Sequence, residues 1–364
     1  MNKLKKVLIM AGGTGGHVFP ALAVARALQQ QGISVAWLGT SKGLEARVVP
    51  EAGIPLHLIT ITGVRGKGLK SLLTAPWRIM IAIMQAMRII RQFTPDIVLG
   101  FGGFVSGPGG VASWLLRHPL IIHEQNARAG TTNKLLARIA SKVLEGFPDT
   151  FTMRDKIVTT GNPVRAEIAV LPPPMQRFAN RVHPLRLLVI GGSLGAAAFN
   201  ELVPKALALL PVNERPEVLH QAGDKHAGLT QQHYTDLNVA ATVQPFIADM
   251  GGAYAWADVV LCRAGALTIA ELCAAGLGAI LVPYPHATDD HQTANANYLV
   301  KNAAAVLIQQ TDLTALGLSE IIQELSASPD KRAQMAQAAY QLRKVDATSN
   351  VLRICGEVCN ELDI

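Results

Sequence analysis

The stretch Leu187-Leu188-Val189-Ile190-Gly191-Gly192-Ser193-Leu194-Gly195-Ala196 repeats the plan of Val7-Leu8-Ile9-Met10-Ala11-Gly12-Gly13-Thr14-Gly15-Gly16 about half a chain earlier. Each is a short apolar strand, a turn of small residues and the opening of a helix. Val35 to Leu38, Asp96-Ile97-Val98-Leu99 and Leu120-Ile121-Ile122 are further apolar strands, separated by helical patterns. The first helix is predicted from about Pro20 and is ended by Gly32. Non-alternating apolar strands between helices indicate parallel sheets covered on both faces, hence an α/β fold of two Rossmann-like, doubly wound domains.

A length of 364 residues suits two domains. The join is predicted near Gly161-Asn162-Pro163, ahead of Leu171-Pro172-Pro173-Pro174, giving domains over residues 1–163 and 164–346. The last helix, about Asn350 to Leu362, has no strand of its own, so residues 347–364 are expected to pack back on the first domain. Hydrophobic residues are 49% and charged residues 16%, which excludes a disordered chain. Aromatic residues at 5% are thin for stacking on nucleic-acid bases, and a net charge of +7 leaves room for another anionic partner. The start runs from Lys5-Lys6 into Val7-Leu8-Ile9-Met10, too short for a signal-peptide core. The apolar run Ile79 to Met84 falls far short of the roughly 20 residues of a spanning helix. Cys262, Cys273, Cys355 and Cys359 form no Cys-x-x-Cys pair and read as buried small hydrophobes of a reducing compartment.

A glycine turn before a helix lets backbone N–H groups and the helix dipole meet an anion, although glycine there can serve the tight turn alone. A third glycine-rich segment, Gly100-Phe101-Gly102-Gly103 with Ser106-Gly107-Pro108-Gly109-Gly110, favours anionic ligands. No Gly-x-x-x-x-Gly-Lys-Ser/Thr is present, which argues against a P-loop. The end of the second strand, Trp37-Leu38-Gly39-Thr40, offers no carboxylate for the ribose of a nicotinamide cofactor. In the second half, Ala257 to Glu271 reads as strand, turn and helix with Thr268 and Glu271 in its first turn. Thr-x-x-Glu is the spacing of a capping box, which spacing alone favours. The alternative sets free N–H groups on a diphosphate and Glu271 across two ribose hydroxyls.

Together with Gly12-Gly13-Thr14-Gly15-Gly16-His17, Val105 to Gly110, His123-Glu124-Gln125-Asn126 and Gly161-Asn162-Pro163-Val164-Arg165, these stretches resemble the MurG family of peptidoglycan glycosyltransferases over nearly the whole chain. The resemblance implies the GT-B architecture, two Rossmann-like domains facing across a cleft. It implies transfer of N-acetylglucosamine from UDP-GlcNAc to the MurNAc 4-hydroxyl of undecaprenyl-linked lipid I, with inversion, to give lipid II. It also implies a donor site of Thr14, Gly15, Gly16, Asn126, Arg165, Ser193, Ile247, Ala266, Leu267, Thr268, Ile269, Ala270, Glu271 and Gln292. Ile247 would lie by the uracil, Glu271 on the ribose, Thr268 and Ser193 on phosphate and Gln292 on the sugar. The first-domain glycine loops would cradle the acceptor diphosphate. Phe104 stands where tyrosine is common in the family, and this touches an acceptor contact.

An inverting transfer needs a base and a stabilised leaving group. His17, at the end of the first glycine turn, is the candidate catalytic base, with Glu124 its rival and an ordinary loop histidine the plain alternative. No Asp-x-Asp is present, so Arg165 and helix N-termini are expected to take the diphosphate charge without a metal or other cofactor. His123, His286 and His291 lack ligand spacing and read as polar loop histidines. Between Glu51 and Asp96 there is no carboxylate, while Arg65, Lys67, Lys70, Arg78, Arg88 and Arg91 interleave with Leu69, Leu72, Leu73, Trp77, Ile79, Met80, Ile81 and Ile83. That pattern suits an anionic membrane surface, hence a peripheral place on the cytoplasmic face of the inner membrane. Partners in the cell-wall or division machinery would meet the chain there. A UDP-GlcNAc 2-epimerase is the nearest enzyme alternative, and a non-catalytic nucleotide-sugar or anionic-lipid binder the next.

Overall fold

The computed structural model describes residues 4–61, 69–152, 154–179, 181, 184–192 and 195–361, leaving aside the side chains of residues 69–73, 154 and 288. Two units are distinct: residues 1–164 with 345–364, and residues 165–344. The first begins with β1 (Lys6–Ala11), α1 (Gly15–Gln30), β2 (Ser34–Gly39), α2 (Glu45–Glu51), β3 (Leu56–Leu58) and α3 (Leu69–Phe93). It continues with β4 (Ile97–Gly102), α4 (Ser106–Leu115), β5 (Leu120–Glu124), α5 (Thr131–Leu136), β6 (Lys142–Glu145) and β7 (Ile157–Thr159). Among the described residues its seven strands form one sheet, ordered β3-β2-β1-β4-β5-β6-β7 and parallel throughout.

Because strand side chains alternate in direction, Val7 and Ile9 enter one core and Leu8 and Met10 the other, so β1 is apolar at every position. The first helix starts at Gly15, five residues earlier than Pro20 suggests. Pro20 sits inside it, where the missing N–H costs one backbone bond. Gly32, at φ +76°, follows the helix end.

The second unit holds α6 (Ala166–Ala169), α7 (Pro174–Phe178), β8 (Arg186–Ile190), α8 (Ala197–Ala208), β9 (Glu217–Gln221), α9 (Ala227–Asp236) and β10 (Thr242–Gln244). Next come α10 (Met250–Trp256), β11 (Val259–Cys262), α11 (Ala266–Ala275), β12 (Gly278–Leu281), α12 (His291–Val300), β13 (Ala305–Leu307), α13 (Ala315–Ala327) and α14 (Pro329–Gln341). Its six described strands form a second parallel sheet, ordered β10-β9-β8-β11-β12-β13. A last helix, α15 (Ala347–Glu361), buries Val351, Ile354, Cys355 and Val358 in the first unit's core beside α1.

Both sheets reverse their winding between the first strand and its cross-over partner, β1/β4 and β8/β11, where loops at the strand C-termini leave a crevice. The same device sets both registers. Asp96 donates its N–H to Lys6 O at 2.9 Å and accepts from Lys6 N at 2.8 Å through Oδ2. Asp258 donates to Arg186 O at 2.9 Å and accepts from Arg186 N at 2.9 Å. The carboxylates thus satisfy backbone groups where each strand pair begins.

Candidate active site

In the first unit the site is built on the loops after β1, β4 and β5. Thr14 is the N-cap of α1, extended and without a side-chain cap, so the N–H groups of Gly15 and Gly16 face outward from a helix start. The loop beneath is pinned by Glu45, which is fully buried. Its carboxylate accepts from Gly13 N at 3.0 Å, Thr40 N at 2.9 Å and Thr40 Oγ1 at 2.8 Å. A carboxylate does therefore reach the end of β2, but from five residues downstream, and loop donors rather than a ribose occupy it. Nothing in the spacing around Glu45 singled it out.

His17, on the first turn of α1, is partly exposed and lies 2.8 Å from Gln125 Oε1 through Nδ1. Glu124 is unsuited to the rival role. It is buried, and its two oxygens accept from Asn126 N, Asn126 Nδ2, Gly130 N and Asn133 Nδ2 at 2.9–3.2 Å, which fills the acceptor capacity of a carboxylate. Asn126 is thereby placed beside the His17 partner Gln125. His123 is no loop histidine: it lies on β5, fully buried and stacked on Phe101 at 5.2 Å, and burial pulls its pKa down to about 4.

In the second unit the turn after β8 carries Gly191, Gly192 and Gly195; Ser193 lies outside the described residues. Buried Gln221 donates to Gly192 O at 2.9 Å and accepts from Ile247 N at 3.0 Å, tying this turn to the loop that holds Ile247. The Ile247 side chain is itself buried, while Phe246 beside it is exposed. The N-cap of α11 is Gly265, without a side-chain cap. Thr268 therefore occupies the third helical position, not the cap, and the capping-box reading fails. The N–H groups of Ala266, Leu267 and Thr268 open the helix, with Ile269 and Ala270 behind them.

Glu271 accepts from Arg165 Nε at 2.9 Å through Oε1 and from Tyr254 OH at 3.2 Å through Oε2. Tyr254 is buried; burial, then the Glu271 charge, pushes its phenol well above the ordinary range, so it stays a donor. One acceptor site remains on each Glu271 oxygen. Arg165 is thus placed on Glu271. Gln292 accepts from Tyr284 N at 2.9 Å, at the end of a loop in which Asp289 and Asp290 both take positive φ, a strained conformation for non-glycine residues. Arg263 is an internal strut, donating to Val282 O, Pro283 O and Gln310 Oε1.

The four cysteines are buried, and burial pushes the thiols of Cys262, Cys273 and Cys355 up to about 12, which leaves them inert.

Two Rossmann-like units, each a parallel sheet with a helix start lacking a side-chain cap at a strand end, are the architecture of the GT-B class. The glycosyltransferase family 28 N-terminal domain matches residues 7–145 and its C-terminal domain residues 186–351, and the chain is a glycosyltransferase of that family. A relative from Pseudomonas entomophila (strain L48) is 56% identical over 98% of each chain; it is named UDP-N-acetylglucosamine--N-acetylmuramyl-(pentapeptide) pyrophosphoryl-undecaprenol N-acetylglucosamine transferase. The crystal structure of Acinetobacter baumannii MurG is 44% identical, with a TM-score of 0.86 over 97% of this chain and 99% of that one. This chain belongs to the MurG family. A UDP-N-acetylglucosamine 2-epimerase structure, 15% identical with a TM-score of 0.64 over 97% of this chain and 95% of that one, shares the fold alone.

Proposed function

We propose that the chain transfers N-acetylglucosamine from UDP-GlcNAc to the MurNAc 4-hydroxyl of undecaprenyl-pyrophosphoryl-MurNAc-pentapeptide, giving lipid II with inversion at the anomeric carbon. The end-to-end identity with transferases whose name states this donor and acceptor carries the reading. It also favours transfer over epimerisation. His17 takes the hydroxyl proton, and the glycine loops of the first unit hold the acceptor diphosphate. In the second unit the α11 N-terminus meets the leaving diphosphate, Thr268 adds a hydroxyl to it, and Glu271 takes the two ribose hydroxyls. A transfer assay with UDP-GlcNAc and a short-chain lipid I analogue tests the whole; no transfer would overturn it.

The two open acceptor sites on Glu271 support its ribose role. Glu271→Ala is expected to weaken UDP-GlcNAc binding by roughly ten- to a hundredfold, the worth of one or two hydrogen bonds to a charged group. Isothermal titration alongside a melting curve checks this. A lower melting temperature with unchanged affinity would reduce Glu271 to a partner of Arg165 and Tyr254.

We further propose that α3 docks on the anionic cytoplasmic face of the inner membrane. No helix among the described residues is long and apolar enough to cross a membrane. On α3, Ala82, Ala86 and Ile90 turn inward, while Trp77, 64% exposed, joins Ile79, Met80 and Met84 on the outside with Arg78. Exposed apolar side chains beside cations suit a lipid headgroup layer. Arg65 and Lys67 lie outside the described residues, as do the side chains of Lys70, Leu69, Leu72 and Leu73. Trp77→Ser with Arg78→Glu should release the protein from anionic vesicles while UDP-GlcNAc affinity is kept; each cation at such a surface is worth about 1 kcal/mol. Equal co-sedimentation with neutral and anionic vesicles, or none by the unaltered protein, would remove α3 from the mechanism.

A further inference from the structure

Behind His17 runs a chain of hydrogen bonds whose directions are fixed from its buried end. His123 Nε2 lies 3.0 Å from the carbonyl oxygen of Gly161, a group that can only accept, and Thr160 Oγ1, 3.4 Å from the same nitrogen, donates its own hydrogen to Gly161 O at 3.0 Å, so Nε2 carries the proton. Neutral His123 then has a lone pair on Nδ1, 3.1 Å from Gln125 Nε2. The same amide nitrogen lies 3.0 Å from His123 O, a second group that can only accept. The Gln125 amide is thereby oriented with its nitrogen inward, and its Oε1 is left facing His17 Nδ1 at 2.8 Å. An amide oxygen cannot donate, so His17 Nδ1 must hold the proton.

We infer that Gln125 and His123 are positioning residues that lock His17 as the Nδ1–H tautomer, leaving the Nε2 lone pair as the proton acceptor for the attacking sugar hydroxyl. The inference rests on His17 being the base of the proposed reaction. Free imidazole side chains favour the opposite tautomer, with the proton on Nε2, so the lock reverses an intrinsic preference. Its parts are rigid. Gln125 is buried, and its backbone carbonyl accepts from Asn162 Nδ2 at 2.9 Å. The ring of His17 is backed by Gly102, where a Cβ would come within 2.9 Å of Cε1 and Nδ1. His123 remains neutral at physiological pH because burial disfavours its charge, so the chain does not reverse. His17 Nε2 has no protein partner among the described residues.

Nitrogen-15 NMR of the histidine-labelled protein, with His17 assigned by comparison with His17→Ala, reads the tautomer directly and without turnover. A protonated Nδ1 and bare Nε2 are expected; a protonated Nε2 would overturn the inference in the unaltered protein. Gln125→Leu should yield a tautomer mixture and lower kcat by about 10- to 10⁴-fold, between the loss of a metal-bound histidine's outer partner and that of the carboxylate fixing a catalytic histidine's tautomer, with KM for UDP-GlcNAc within about twofold. A pure Nδ1–H signal in Gln125→Leu, or an unchanged kcat, would reduce Gln125 to packing. If the tautomer is as expected while His17→Ala keeps full kcat, the base assignment fails and the lock stands as geometry without a catalytic role, which overturns the inference as stated.

Discussion

His17→Ala is expected to lower kcat by about 10²- to 10⁴-fold, the span of a positioned acid–base group, while affinity for UDP-GlcNAc stays near that of the unaltered protein. The split follows from placement. His17 stands on the first turn of α1 with one nitrogen anchored on Gln125, in the unit proposed to hold the acceptor, whereas the proposed ribose and leaving-diphosphate contacts, Glu271, Thr268 and the α11 N-terminus, lie in the second unit. Glu124 is not ready to replace it, since each of its oxygens is doubly engaged. Single-turnover rates with a lipid I analogue, beside calorimetric titration of the donor, would check the split. Full kcat in the variant would send the search for the base elsewhere.

Gly103→Ala is expected to cost nearly as much through an unrelated cause. Gly103 takes φ +83°, and a Cβ on it would lie 2.2 Å from the carbonyl oxygen of Gly12. That neighbour is backbone and cannot rotate away, so the β1 and β4 loops must part. Left-handed strain adds about 1–3 kcal/mol, and moving a catalytic loop by about 1 Å can cost 10²-fold in rate. The melting temperature of the first unit and kcat should therefore fall together. Gly228→Ala, on α9, where an added methyl meets nothing within 4 Å, is the control and should keep kcat and not lower the melting temperature, since alanine is the better helix former. Unaltered turnover by Gly103→Ala would mean that the two loops are not held as close as the structure has them.

The architecture was legible because its signals are local. Apolar strands ending in glycine turns appear in both halves, and each Asp that opens a cross-over strand, Asp96 and Asp258, sits directly before its apolar run. Much of the candidate site is set by contacts distant in sequence. Gln125 meets His17 across 108 positions, and Glu45 reaches back 32 to Gly13, so neither has a spacing to reveal it. Thr268 misled for a local reason. The strand-to-helix turn already supplies an extended Gly265 as N-cap, so a sequence spaced like a capping box begins three residues inside the helix. Glu124 was readable after all, for its donors Asn126, Gly130 and Asn133 follow within nine residues.

The packing of α15 against α1 has a consequence for how the chain is made. The second unit is one continuous segment and can close as soon as residues 165–344 have been synthesised. The first unit cannot, because the helix that supplies Val351, Ile354, Cys355 and Val358 to its core emerges only after that segment. During translation the core around β1 and α1 is left with an apolar face uncovered, a surface open to chaperones or to aggregation. The half of the protein that leaves the ribosome first is the half completed last.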